Sequence, residues 1–453
     1  MVALLVAVLL AQAPAPAQPP VPSPVSGAAQ PDSPAPDSGA PEAVPQLPVA
    51  SLPPATHELF ERIKRRVAQV RIIESRSGTK SSIGSAFFVS ADGHALTNYH
   101  VVSDLVMHPE DYTAEIVRDG QDPVAVKLLD VDVVHDLAVI RLAQPVPDFF
   151  QLLDKPPPQG TRLFAMGNPR DLGITIVEGT YNGLVHDALY DRVHFTGAIN
   201  PGMSGGPSLT GEGRVVGVNV ATMGNQVGFL VPVEHAQALL TRALAAKPED
   251  SEPSALLASV GTQLREHQQR ITERLLATPL PQQSLGPYRV PGRWLPFLKC
   301  WGDTPHDPEA QYTVTSYQCS SEDDLYLSSD HRTGAVSYNH QYLSSTKLGA
   351  LRFSAVFSAY FSADPAVVEA TREDVTNFRC NSEFVSTGGL TLRAALCLRA
   401  YKKFPGLYDL VLRAATLPSN NQGVDTSFTL AGFSPENARK LARHYLEGLS
   451  WTK

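Results

Sequence analysis

Charge is scarce in this chain, and long apolar runs are scarcer. Only 18% of its 453 residues are charged, the formal net charge is −8, and no basic stripe stands out. Without clustered cations to neutralise phosphates, a nucleic-acid partner is set aside. The apolar run Val2 to Leu10 is too short to span a bilayer, so no stable membrane span is expected. Because Ala11-Gln12-Ala13 follows it, residues 1–13 read as a secretory signal peptide, although the basic n-region is missing. That places the protein outside the cytoplasm, periplasmic or secreted. Cysteine is absent before Cys300, and the four that follow (Cys300, Cys319, Cys380, Cys397) form no C-x-x-C pair, which argues against zinc. Their simplest use in an exported protein is two disulfides, Cys300 with Cys319 and Cys380 with Cys397, each closing a loop worth about 3 kcal/mol. Buried free thiols are the other reading.

What is present has the proportions of a soluble globular protein, with 43% hydrophobic residues over a length that predicts two or three domains. Residues 14–55 are Ala/Pro/Ser-rich, and 14 of the chain's 38 prolines fall between Ala13 and Pro54. Such a segment cannot bury enough surface to offset its ordering entropy, and it reads as an extended tether. Thr56 is a candidate N-cap for a short helix with Leu59, Phe60 and Ile63 on one face. From there to residue 248, short apolar or alternating runs separated by Gly, Pro and Asp predict antiparallel β-barrels or a sandwich, with a hairpin turn at Ala91-Asp92-Gly93-His94. Residues 249–285 read as a helical linker. Its helix, Ser254 to Thr278, places Leu257, Val260, Leu264, Ile271 and Leu275 at heptad-like intervals broken by His267-Gln268. The helix is read as packing on its own barrel; a homo-oligomer through a coiled coil is the alternative. Residues 286–453 hold all three tryptophans and all four cysteines, which predicts a separate α+β unit with its own core. Its expected strands are QYTVTSYQC, GALRFSAVFSAYFS, AALCLRAYKK and YDLVLRAAT, followed by a helix that Ser434-Pro435 opens.

The stretch INPGMSGGP, residues 199–207, carries the chemistry. GMSGG satisfies the G-x-S-x-G of a strand–nucleophile–helix elbow, but Pro207 and a further strand follow Ser204 where that elbow needs a helix. His235 lies downstream without a suitable acid before it. The opposite order fits: His100 in LTNYHVV, Asp136 in HDLAVIRL, then Ser204. A serine hydroxyl is a weak nucleophile and needs a base, His100, which in turn needs a group to hold its tautomer, Asp136. Glycines around the serine let backbone N–H groups turn toward the developing oxyanion, and the turn Gly202-Met203-Ser204 is the candidate hole, with Gly202 and Ser204 as donors.

Taken together, GSAFFVSADGHALTNYHVV, DLAVIRL, MGNP, AINPGMSGGP and VGFLVPVE resemble the protease domain of the HtrA (Deg) family of trypsin-like serine proteases. The resemblance runs from about Leu59 to Ala246 and implies a mainly β, chymotrypsin-like double β-barrel with the active site between the barrels. It implies a serine endopeptidase acting on proteins or peptides, without a metal or organic cofactor. It also places Ala198, six residues before the nucleophile, at the floor of the primary pocket, beside the strand Asn219-Val220-Ala221. Lacking an acid there, that pocket is expected to prefer small or medium aliphatic side chains. The chain departs from the family at Met203, where asparagine is usual, and no PDZ-like segment follows, so peptide-activated regulation is not carried over. Two other functions fit the same residues: a binding protein in this fold without turnover, and a C-terminal adhesion module beside a self-processing protease.

Overall fold

Twelve short strands form two closed barrels. In the computed structural model, which describes residues 56–222, 227–362 and 369–452, helix α1 (Thr56–Ile63) leads into β1 (Val67–Glu74), β2 (Thr79–Phe88) and β3 (His94–Thr97). Helix α2 (Tyr99–Met107), β4 (Tyr112–Val117), β5 (Val124–Asp132) and β6 (Leu137–Leu142) complete the first barrel, in the order β1-β2-β3-β6-β5-β4. The second barrel comprises β7 (Arg162–Gly167), β8 (Thr175–Leu184), β9 (Val193–Phe195), β10 (Pro207–Leu209), β11 (Val215–Thr222) and β12 (Gly228–Pro232). The segments read as signal peptide and tether, residues 1–55, lie outside the described residues.

Strand β6 shows why its run Leu-Ala-Val-Ile-Arg-Leu is almost wholly apolar. Side chains alternate along a strand. Ala138, Ile140 and Leu142 enter the first barrel's core, while Leu137 and Val139 join the cluster shared with Leu209, Val215, Val218 and Val231 of the second. Both faces are therefore buried, and only Arg141 is exposed. The β2–β3 hairpin turns at Gly93, whose φ of +82° is left-handed and whose added Cβ would lie 2.5 Å from the Leu142 carbonyl oxygen.

Helix α3 (Val233–Ala245) closes the second barrel, and α4 (Pro253–Ala277) runs on from it. The apolar stripe of α4 is satisfied within the chain. Leu256, Val260 and Leu264 pack in the first barrel's core, and Ile271 and Leu275 in the C-terminal core. The polar break in the stripe is satisfied too: His267 bonds the Tyr190 hydroxyl at 3.1 Å, and Gln268 Oε1 accepts from Asn437 Nδ2 at 2.9 Å.

Beyond α4 come β13 (Gln282–Leu285), β14 (Tyr288–Pro291), β15 (Lys299–Asp303), β16 (Thr313–Ser320), β17 (Leu325–Ser328), β18 (His331–Thr333) and β19 (Val336–Ser344). Helix α5 (Ala350–Ser362), β20 (Arg379–Thr387), β21 (Leu390–Ala400), β22 (Tyr408–Thr416), β23 (Gln422–Phe433), α6 (Pro435–Glu447) and β24 (Ser450–Trp451) follow. Seven of these strands form one antiparallel sheet, β15-β16-β19-β23-β22-β21-β20. Ser434 caps α6 by accepting from the Asn437 N–H, as expected. The segment GALRFSAVFSAYFS, however, is helix where a strand was expected. Phe353 and Phe357, four apart, are buried, while Leu351 is 89% exposed, a helical period that a short apolar run does not distinguish from alternation.

Both expected disulfides are present, Cys300–Cys319 and Cys380–Cys397, and each joins directly opposed residues of adjacent strands. The C-terminal residues have a core of their own around Trp294, Tyr338, Phe428 and Tyr445. They also meet the first barrel: Leu325, Leu327, Val375, Tyr401, Phe404 and Leu407 belong to the same hydrophobic core as its strands.

Burial also sets an acid limit. His340 is fully buried between the Pro291 carbonyl and the Thr426 hydroxyl, and desolvation lowers its pKa to about 3. At neutral pH it is uncharged both folded and unfolded. Below about 6.5 the unfolded chain takes up a proton that the folded one refuses, so stability falls with pH until about 3. We expect unfolding free energy between pH 6.5 and 4 to fall less steeply in His340→Gln than in wild type, by up to about 1.4 kcal/mol per pH unit. Parallel slopes in urea titrations would refute this.

Candidate active site

The site forms where the end of β3 and the turn before β10 meet. Asn98, fully buried, precedes α2 and donates through Nδ2 to the Asp136 carbonyl at 2.7 Å, tying the His100 segment to the β5–β6 turn. Asp136 there has a φ of +59°, a left-handed conformation that Asp and Asn tolerate better than most residues. This aims both carboxylate oxygens at one residue. Oδ1 accepts the His100 backbone N–H at 2.9 Å, and Oδ2 lies 2.7 Å from His100 Nδ1. Just before it, His135 bonds Asp132 at 2.8 Å and stacks on His235, with ring centroids 3.7 Å apart. His235 thus buttresses the turn that bears Asp136.

The turn that carries Ser204 is pinned from the first barrel. Ser85 of β2, fully buried, donates its hydroxyl to the Gly202 carbonyl at 2.7 Å, accepts the Asn168 N–H at 2.9 Å, and donates its own N–H to the Ser204 carbonyl at 2.8 Å. Gly202 has a φ of +95°, and an added Cβ would lie 2.4 Å from the Asn168 carbonyl oxygen, so only glycine fits. The Met203 N–H donates to the Asn200 carbonyl at 2.9 Å. It is therefore not available to an oxyanion, whereas the Gly202 and Ser204 N–H groups have no backbone acceptor among the described residues. The turn after Ser204 abuts the first barrel, because an added Cβ on Gly205 would lie 2.2 Å from the Ser85 carbonyl oxygen and 3.0 Å from the Asn98 nitrogen. The Ser204 hydroxyl itself donates to the Val220 carbonyl at 3.3 Å.

The expected pocket residues differ in their surroundings. Asn219 is fully buried, accepting from Ser208 and donating to the Met166 and Met203 carbonyls, because alternation on β11 turns it away from the face that Val220 presents. It braces the Ser204 turn through the Met203 carbonyl. Ala198 is exposed in the loop after β9. It is not among the residues lining the cavity of about 510 Å³ that contains His100 and Asp136, which Val220 does line. Ala221 lies in β11, but its side chain is outside the described set. Sequence reading missed Ser85, Asn98 and Asn168, three buried polar residues whose hydrogen-bond partners lie far along the chain.

The cavity's other wall comes from the C-terminal half. Leu325, Tyr326 and Arg332 of the β17–β18 hairpin line it, and the Tyr326 ring lies 5.7 Å from that of His100.

Residues 84–218 match the family model of the trypsin-like peptidase domain. By that match these residues are a trypsin-like peptidase domain. A Synechocystis protein named as the serine protease HhoB is 33% identical over 167 residues, 34% of this chain and 38% of that one. A Chlamydia muridarum protein named as a DegP-like periplasmic serine endoprotease is 34% identical over 154 residues, 32% of this chain and 30% of its own. The crystal structure of Deg5 aligns at 25% identity over 40% of this chain and 90% of that one, with a TM-score of 0.36. The chain thus spans only about a third of the length of these two curated relatives. No described helix is long and apolar enough to cross a membrane.

Proposed function

We propose that this chain is a serine endopeptidase in which Ser204 is the nucleophile, His100 the general base and Asp136 the residue that holds the base. The observation that carries this reading is the double contact of Asp136 with His100, made beside a serine turn whose Gly202 and Ser204 N–H groups have no backbone acceptor among the described residues. Asp136 fixes the proton on Nδ1 and leaves Nε2 as the basic nitrogen. To react, Ser204 exchanges its bond to the Val220 carbonyl for one to His100 and attacks the scissile carbonyl as His100 takes its proton. The oxyanion then meets the Gly202 and Ser204 N–H groups, each worth on the order of 3 kcal/mol of barrier. His100 next protonates the leaving amine, and water hydrolyses the acyl-enzyme. A site outside the cytoplasm agrees with the two disulfides and with the periplasmic naming of the relatives.

Labelling by a fluorophosphonate, run beside casein digestion, tests the reading. Wild type should react in both assays and Ser204→Ala in neither. A wild-type chain that takes no label and digests nothing would overturn it.

A further inference from the structure

We infer that the C-terminal half supplies part of the substrate site: Tyr326 is a specificity-determining residue, presenting a fixed apolar wall to a substrate side chain that flanks the scissile bond. The inference rests on the peptidase reading above. The cavity holding His100 and Asp136 is lined by Val133, Val134, Val220 and Phe229 of the barrels and by Leu325 and Tyr326 of the C-terminal half, with charged groups such as Asp324 and Arg332 beside them. Neither half of the chain forms this space alone.

The wall is not a loose flap. Leu325 and Leu327, on either side of Tyr326, are 3% and 0% exposed in the first barrel's core. The hydroxyl of Tyr99, the residue before His100, donates to the Leu327 carbonyl at 3.2 Å, so the hairpin and the base share one anchor. The Arg332 guanidinium lies 4.3 Å from the centre of the Tyr326 ring and pairs with Asp324 at 3.7 Å. A ring in contact with both His100 and Arg332 offers apolar area without further ordering cost, the condition under which preorganisation becomes selectivity. The substrate class that fits is an extended polypeptide with a large apolar side chain, such as Leu or Phe, next to the residue that is cleaved.

The test uses the full chain and peptides in which each position around the cleaved bond is Gly, Ala, Leu or Phe in turn. One flanking position should favour Leu or Phe over Gly, and Tyr326→Ala should shrink that ratio about tenfold or more, chiefly through KM. Tyr326→Phe should restore it, and preferences at the other positions should not move. The same peptides, fluorescently labelled, should bind the Ser204→Ala chain with the same ratio and lose it when Tyr326→Ala is added, a readout that needs no turnover. Unchanged ratios in folded Tyr326→Ala, an equal change for every peptide, or no peptide binding by Ser204→Ala would each overturn the inference. Tyr326-dependent binding by a wild-type chain without turnover would instead overturn the catalytic reading and leave the subsite standing.

Discussion

Asp136→Asn should lower kcat by about 10⁴-fold without unfolding the chain. Asparagine has the same shape and also tolerates the φ of +59° at this turn, so the backbone can stay where it is. The hydrogen bonds cannot. Oδ1 faces a backbone N–H of His100, which only an oxygen can accept, and this directs the amide nitrogen toward His100 Nδ1. Nδ1 must then be the acceptor, its proton moves to Nε2, and the base faces Ser204 with a proton where it needs a lone pair. Single-turnover kinetics and thermal melts on the same preparation check this. A loss below about tenfold in a folded variant would show that Asp136 does not hold the catalytic tautomer.

Asp409→Ala should lower the unfolding free energy by about 3–5 kcal/mol, the usual cost of removing one partner of a buried ion pair. Asp409 is 2% exposed, and burial pushes its carboxyl above the usual range although Arg399 beside it favours the charge. Its Oδ2 accepts from Arg399 Nε at 2.7 Å, while Oδ1 accepts the Tyr401 hydroxyl at 2.6 Å and the Gly432 N–H at 3.1 Å. Tyr401 in turn meets Thr333 of the β17–β18 hairpin at 2.9 Å. The substitution thus leaves desolvated donors behind and loosens the hairpin that carries Tyr326. Urea unfolding followed by tryptophan fluorescence measures the cost; a change under 1 kcal/mol would mean that the network is replaceable.

The fold was legible in this sequence where local constraints are strict: short runs broken by turn residues announced the two barrels. Of the candidate site, the Asp136–His100 contact that the sequence reading expects is present. Long-range geometry was less legible. Asn219 and Val220 are neighbours in sequence, yet Asn219 is fully buried while Val220 lines the cavity beside His100, a difference no local pattern announces. The helix at Ala350–Ser362 was read as strand because aromatic residues at mixed spacing satisfy both periods. The boundary near residue 286 marked a change in composition, but the hairpin that crosses back to pack on the first barrel, bringing Tyr326 to His100, leaves no local trace.

Ser85 has a consequence for motion. It belongs to the first barrel, yet its hydroxyl and its N–H hold the Gly202 and Ser204 carbonyls of the second. Any breathing that parts the barrels at this seam must therefore break both bonds and free the turn that carries Ser204, so the shape of that turn belongs to the two barrels jointly and to neither alone.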